Sequence, residues 1–546
     1  MQKVLTRLLR FNATIRHLRP QQIHQRIWRK IYRPRMDATV APPCRVSLQA
    51  WCASPIKYTH LDKDGNIILL GQTISTQIEN IWQNSHLDHL TQYNLHYHDW
   101  LQHPATTNET AQHLMLQWIK ANPTTTSMGW DAYCISQRIV NWIKWFLRHP
   151  TCDSQLLNSL AQQIRYLTQR LETHLLGNHL LQNAKALLFA GLFFQNSESI
   201  QWYQQGLSLW QTQLKQQILA DGGHFERSPM YHALALEDLL DVINLHHVYQ
   251  YPKNFSWPTL VRKMMVWLQV MTHPDGEIAF FNDSTQGVAP RYAELCDYAQ
   301  RLKLDFPVEL STLIALTDSG YYRISRGPLD LLIDTAPIEP HYQPGHAHAD
   351  SLSFELSMHG QRIFVNRGIN TYENNATRHW QRSTAAHNTL TIDHKNSSDV
   401  WKSFRVGKRA RILHRFAQQY ADDIVITAAH DGFRPFIHQR CWKITRDYLV
   451  IVDELKGSGT HEITQYFHLQ PQLNVERKFC TWIIRSQQNN LLQIKLDKKI
   501  DCDLQSTLHY PNFNKQESAI SLKATGAFKL PCTLITEIHW SSACIS

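Results

Sequence analysis

Four short stretches of this chain concentrate side chains able to move protons, bind anions or hold a metal. Gly177-Asn178-His179 stands directly ahead of the apolar run Leu180 to Phe194. An amide and an imidazole there lie where a helix dipole and unsatisfied N–H groups favour a carboxylate ligand, although Asn178 acting as a plain N-cap accounts for the same residues. The second stretch, Asp221 to His232, crowds two glycines, a proline and several ionisable groups into a connector, which is costly for a loop with no task. Tyr231 opens the helix that continues through Leu240, so its phenol either enters a groove or packs with a satisfied hydroxyl. In the third, Gly345 to Ser351, His346 and His348 share a face if the backbone is extended, which suits metal chelation or a division into ligand and base. The fourth runs from Arg378 to Thr389 and sets His387 at the entrance of a strand. His348 and His387, with Asn366 between them in sequence, are either a small metal site or ordinary hydrogen-bonded residues.

These clusters need elements to place them, and hydrophobic spacing supplies two kinds. Between about Thr73 and Leu316 apolar residues recur every three or four positions: Leu114 and Trp118, then Ile135, Ile139, Trp142, Ile143 and Phe146, then Leu157, Leu160, Ile164, Leu167 and Leu171. That period predicts successive amphipathic helices joined by short polar turns. From about Gly320 the pattern changes to short alternating or β-branched runs: Leu331 to Asp334, Leu352 to Leu356, Ile363 to Asn366, Thr389 to Ile392, Ile424 to Ala428, Cys441 to Ile451 and Ile463 to Leu469. An all-helical half ahead of an all-strand half argues for two layered domains, with the change near Thr317 to Gly320, rather than for a parallel α/β sheet.

A chain of 546 residues and 63.7 kDa exceeds what one core usually organises, and 43% hydrophobic against 18% charged residues leaves apolar material for two. The formal charge of +10 is carried wholly by Met1 to Met36, where ten Lys and Arg stand without one Asp or Glu. Beyond that segment cations and anions balance, so the folded body lacks the basic face that nucleic-acid binding needs, and no nucleic-acid partner is expected. Arg10 and Arg16 interrupt the apolar run after Leu8 and Leu9, so the segment does not read as a secretory signal. No window of transmembrane length is free of charges. Ile23, Ile27 and Ile31 recur at helical spacing beside Arg26, Arg29, Lys30 and Arg33. A basic amphipathic helix is expected there, either packed on the main body with its cations in solvent or docked peripherally on a membrane surface. The ten cysteines form neither a C-x-x-C pair nor a dense framework, which fits a reducing compartment and a cytoplasmic or membrane-peripheral protein.

Taken in order, GNHLLQNAKALLFAGLFF (Gly177 to Phe194), DGGHFERSPMYH (Asp221 to His232), PGHAHADSLSFEL (Pro344 to Leu356) and RSTAAHNTL (Arg382 to Leu390) resemble the heparinase II/III-like polysaccharide lyases. With YNLHYHDWL (Tyr93 to Leu101) and GWDAYCISQRIVNWIKW (Gly129 to Trp145), the resemblance covers Ile78 to Arg411. It implies an α+β multidomain chain in which an incomplete α/α toroid over 73–317 and an antiparallel β-sandwich over 318–546, with the catalytic cleft between them, follow the basic segment with its amphipathic helix over 1–72. It further implies β-elimination on an acidic, uronate-containing polysaccharide, in which the C5 proton is abstracted and the C4 oxygen expelled to leave an unsaturated sugar.

Matched to the motifs, Asn178 and His179 would neutralise the uronate carboxylate and hold the developing enolate. Tyr231 and His346 would exchange the protons, and Arg378 would bind a substrate anion. His348 and His387 resemble the family's structural metal ligands. The third ligand is commonly Asp, where this chain carries Asn366, a poorer zinc ligand because it brings no charge. No cofactor is required for the chemistry on this reading, and a structural zinc is optional. The expected partner is an acidic polysaccharide, in a bacterial surface-polysaccharide pathway. Two other readings of the same residues stay open: a glycoside hydrolase with Asp221 and Glu226 as acid and base, and a glycan-binding or assembly protein without turnover.

Overall fold

The computed structural model describes residues 10–540 apart from 79, 151–152, 253–255, 305, 307–309 and 487–489. Residues 10–15 are helical, and α1 (Pro20–Ile31) follows them. A small antiparallel sheet of β1 (His60–Leu61), β2 (Ile67–Leu69) and β3 (Gln72–Ile74) leads into the helical half. There α2 (His89–Leu95), α3 (Asn108–Ala121), α4 (Ala132–Arg148), α5 (Ser154–Thr168), α6 (Gly177–Phe193), α7 (Ser197–Gln217), α8 (Pro229–Val248), α9 (Trp257–Val270) and α10 (Tyr292–Arg301) succeed one another.

Local chemistry sets where several of these helices begin. Asp153 accepts from the N–H groups of Gln155 and Leu156 ahead of α5, at 2.9 and 3.0 Å. Asn196 and Ser199 cap α7 reciprocally, and Ser228 caps α8 with Pro229 in its first turn. The stripe Ile135, Ile139, Trp142, Ile143 and Phe146 of α4 is buried in one core with Leu160 and Ile164 of α5. Each such aliphatic side chain contributes about 1.5–3 kcal/mol through removal from water. Where α6 meets α7, a Cβ on Gly191 would lie 2.5 Å from the Tyr203 nitrogen, so that approach requires glycine.

In the second half β4 (Leu313–Leu316), β5 (Tyr321–Arg326), β6 (Leu329–Asp334), β7 (Phe354–Met358) and β8 (Gln361–Phe364) form an antiparallel five-stranded sheet. Helix α11 (Ala376–Gln381), β9 (Leu390–Ile392) and the hairpin of β10 (Val400–Trp401) and β11 (Arg405–Val406) come next. The remaining strands are β12 (Ile412–Gln419), β13 (Ile424–His430), β14 (Ile437–Ile444), β15 (Tyr448–Lys456), β16 (Thr460–His468), β17 (Asn474–Lys478), β18 (Thr481–Arg485), β19 (Asn490–Lys495), β20 (Asp501–His509), β21 (Glu517–Lys529) and β22 (Cys532–His539). One sheet of eight strands runs β12-β13-β14-β15-β22-β19-β18-β17, and one of four runs β20-β21-β16-β9. A bridge between Phe364 and Leu469 joins the five-stranded sheet to the four-stranded one. All three sheets share a core that includes Leu331, Phe354, Ile426, Trp442, Ile463 and Leu522.

Helix gives way to strand between Arg301 and Leu313, slightly ahead of the expected Thr317, because Leu313–Leu316 already pairs with β5 and is too short to show a period. The run Cys441 to Ile451 is two strands, not one. It folds back where Thr445 Oγ1 accepts from the N–H groups of Asp447 and Tyr448 at 3.3 and 3.2 Å.

Candidate active site

Asn178 and His179 lie inside the first turn of α6. Leu176 precedes the helix with φ 64° and no side-chain cap, and Gly177 follows with φ 58°. That region is routine for glycine and strained for leucine. The plain N-cap reading of Asn178 is therefore corrected: the chain has already entered the helix when it reaches this residue. Both residues belong to the first turn of the helix, whose free N–H groups and dipole attract an anion.

His179 Nδ1 is 3.0 Å from Glu172 Oε1. Asn183 fixes that carboxylate, donating to Oε2 at 3.1 Å and accepting the Glu172 N–H at 2.7 Å. Burial alone pushes the His179 imidazole toward neutrality, but the Glu172 carboxylate outweighs it and raises the pKa above the ordinary value. The ring, 26% exposed at its side chain, is thus biased toward its protonated form, in which Nε2–H is a second donor.

Tyr231 projects from the first turn of α8, its N–H held by Ser228 Oγ at 3.2 Å. Its phenol oxygen is 3.0 Å from the Tyr372 hydroxyl, and its ring lies 4.1 Å from that of His346, centroid to centroid. Burial pushes the Tyr231 phenol well above its usual range, with Tyr372 and Asp283 adding to the effect, so it rests protonated. His346 Nδ1 is 2.8 Å from Asp283 Oδ2. An ionised carboxylate only accepts, so Nδ1 carries a proton, and in the neutral tautomer the lone pair is therefore at Nε2. A protonated phenol beside a bare imidazole nitrogen is an acid next to a base.

Arg378 supports this pair instead of facing substrate, which corrects the expectation that it binds a substrate anion. Its fully buried guanidinium grips both oxygens of Asp283, with Nη2 to Oδ2 at 2.6 Å, and also donates to the Ser403 carbonyl at 3.0 Å. Burial would raise the Asp283 carboxyl, yet Arg378, His346 and His348 together hold it well below the carboxylate range. Glu226 sits between the two histidine clusters. Its Oε1 is 3.4 Å from where a Gly177 Cβ would be, its Oε2 is 3.9 Å from His346 Nε2 without a hydrogen-bond partner, and burial raises its pKa. Asp221 is occupied elsewhere, accepting from the Ser319 N–H at 2.7 Å and from Ser319 Oγ and the Gly223 N–H at 3.0 Å each.

Tyr231 and Tyr372 also line a pocket of about 130 Å³ with Tyr133, Lys144, Lys185 and Asp238. Its lysines are already paired: Lys57 with Glu237 at 2.6 Å, Lys144 with Asp241 at 2.5 Å and Lys185 with Asp238 at 2.7 Å. The pocket offers hydrogen bonds more than net positive charge.

His348, His387 and Asp350 place ligand atoms within 4.8 Å of one another, all buried. His348 Nδ1 faces His387 Nε2 at 3.1 Å. The outer nitrogens are committed to acceptors, His348 Nε2 to Asp283 Oδ1 at 2.8 Å and His387 Nδ1 to the Ser383 carbonyl at 2.7 Å. In neutral rings those outer nitrogens hold the protons, so two lone pairs face each other across a gap that a metal ion or a shared proton would fill. The acidic member is Asp350, in place of the Asn366 expected from the sequence. Asn366 turns Oδ1 to the Asn388 N–H at 3.1 Å and leaves Nδ2 unpartnered. Sequence reasoning missed Asp350 although His346, His348 and Asp350 alternate, a usable signal. It also missed Asp283, Glu172 and Tyr372, which stand alone in sequence.

Two family descriptions match this chain in succession: "Heparinase II/III N-terminus" over residues 51–306 and "Heparinase II/III-like, C-terminal" over residues 309–539. A heparin-sulfate lyase of Pedobacter heparinus is 26% identical over 398 residues, which is 65% of this chain and 57% of that protein. One of Bacteroides thetaiotaomicron is 25% identical over 411 residues, 64% and 56% respectively. This chain thus spans less than two thirds of the length of those relatives. Among solved structures, heparinase III superposes with a TM-score of 0.73 at 18% identity, covering 89% of this chain and 82% of its own. The heparan sulfate lyase HepC of Pedobacter heparinus gives 0.60 at 22% identity, with 89% and 81% covered. These likenesses establish the fold as an incomplete α/α toroid followed by an antiparallel β-sandwich. With matches running through both halves and every motif in its expected order, the chain belongs to the heparinase II/III-like family.

Proposed function

We propose that the protein is a polysaccharide lyase that cleaves an acidic, uronate-containing polymer by β-elimination. The juxtaposition of Tyr231 and His346, with ring centroids 4.1 Å apart, is the observation that carries this reading. The His179 imidazolium and the Asn178 amide bind the uronate carboxylate and so acidify the neighbouring C5–H. His346 Nε2 takes the C5 proton, the electron pair forms the C4–C5 double bond, and the C4 oxygen leaves with the proton of the Tyr231 phenol. Solvent returns the phenol proton and removes the one on His346. The paired lysines beside Tyr231 suit an uncharged sugar next to the uronate better than a sulfated one.

The hydrolase alternative is disfavoured because Asp221 is spent on Ser319 and Gly223, leaving Glu226 without its partner carboxylate. Incubating the protein with heparan sulfate, other uronate polymers and bacterial surface polysaccharides tests the proposal. New chain ends with the ultraviolet absorbance of a conjugated unsaturated uronate are expected. New reducing ends without absorbance would make it a hydrolase, and binding without cleavage would make it a glycan-binding protein.

We further propose a structural zinc at His348, His387 and Asp350. Bound there, the ion would tie the loop 345–353 to the strand entrance at His387 and would not touch substrate. Purified protein is expected to hold close to one zinc per chain, and chelation to lower Tm more than it lowers kcat. Metal-free protein with unchanged melting would return the three residues to hydrogen bonding alone.

A further inference from the structure

The N-terminal helix pair lies outside both family matches, which begin at residue 51. Its polar face is turned inward. Gln22 is fully buried, and Arg29 donates to the Arg170 carbonyl at 2.9 Å. Tyr32 donates to Gln169 at 2.9 Å, and the Arg19 guanidinium lies 3.9 Å over the Tyr342 ring. Arg10 pairs with Asp399 at 2.7 Å and Trp401 donates to Thr14 at 3.2 Å, so the same segment grips the strand half as well. The apolar face is left outside: Ile23 is 48% exposed, Ile27 57%, Trp28 49% and Ile31 71%, and Phe11 on the preceding helical turn is 54% exposed. At about 100° per residue, Ile23, Ile27 and Ile31 form one stripe opposite Gln22 and Arg29.

This is an amphipathic helix mounted backwards for a protein in water, since its buried side hydrogen-bonds to the body and its isoleucines face out. Lys30, Arg33, Arg35 and Arg16 of the same segment are exposed, and the segment holds no acidic residue before Asp37 to neutralise them. We infer that residues 10–33 form a docking surface for an anionic lipid bilayer, with the isoleucine stripe and Trp28 entering the headgroup boundary and the cations meeting lipid phosphates. A polyanionic glycan satisfies the cations but has no apolar surface to cover the stripe, and a stripe without the charge bias would favour a protein partner. The inference is independent of the lyase reading, because none of these residues belongs to the Tyr231–His346 site.

Co-sedimentation of the full chain with phosphatidylcholine vesicles, with and without phosphatidylglycerol, tests it. Binding is expected only with phosphatidylglycerol and should weaken as salt rises. Ile27→Asp with Ile31→Asp should cut partitioning by at least about tenfold, with Tm and activity on soluble polymer unchanged. Absence of wild-type binding at low salt overturns the inference. So does binding that the double substitution leaves intact, which would make the attraction purely electrostatic. A wild-type dimer that the same substitutions convert to a monomer, without vesicle binding, overturns it in favour of a second copy of this chain.

Discussion

Tyr231→Phe is expected to lower kcat by at least about 10²-fold while Tm and KM stay near wild type. The substitution removes one oxygen and nothing else. The ring keeps its packing against His346, and the helix start keeps the Ser228 cap, since that bond uses the backbone N–H. What disappears is the proton that the C4 oxygen needs as it leaves, and Tyr372 cannot replace it without moving from its place 3.0 Å behind the Tyr231 hydroxyl. Single-turnover measurement on a verified substrate separates this loss from slow product release. A rate within a few-fold of wild type would remove Tyr231 from the chemistry.

Asp283→Asn should damage both stability and catalysis, and more severely. Asp283 is buried and receives Arg378, His346 and His348 at once. An amide of the same shape leaves the Arg378 guanidinium buried without its counter-charge, a loss of about 3–5 kcal/mol when one partner of a buried pair is removed. It also frees His346 to turn or to take the other tautomer, which costs about 10⁴-fold in kcat where a carboxylate behind a catalytic histidine is neutralised. The wild-type carboxyl is depressed in the folded state, so its stabilisation is complete above the ordinary carboxylate pKa of about 3.9 and drains away as pH falls below it. The Asn variant should lack that acid-side slope. Urea unfolding at several pH values reads this directly, and a variant as stable as wild type with full activity would refute the linked role.

Much of this site was legible because its residues belong to runs with a pattern. Tyr231 is marked by a crowded connector ahead of an apolar helix, and His346 and His348 by alternation before a strand. Asp283 carries no such mark. It lies in Phe281-Asn282-Asp283-Ser284, an ordinary turn composition, and meets His346 only because the chain returns 63 positions later. Arg378 was misread for a related reason: a guanidinium suits any carboxylate, and sequence does not say whether that carboxylate is in the protein or the substrate. Asn178 was ambiguous because the helix entrance depends on two residues with positive φ, Leu176 and Gly177, and nothing about leucine announces such a conformation.

The division of labour between the halves has a further consequence. Asn178, His179, Glu226, Tyr231 and Asp283 lie within the first matched region, whereas His346, Tyr372 and Arg378 lie within the second. In the proposed chemistry the acid comes from one domain and the base from the other, while the carboxylate that orients the base returns to the first. On that proposal neither half would turn over substrate by itself. A gene fusion or truncation that exchanges one domain must preserve the contacts of Asp283 with His346, His348 and Arg378 and of Tyr231 with Tyr372 across the seam, so recombination at this boundary is filtered by a small polar cluster before it is filtered by substrate.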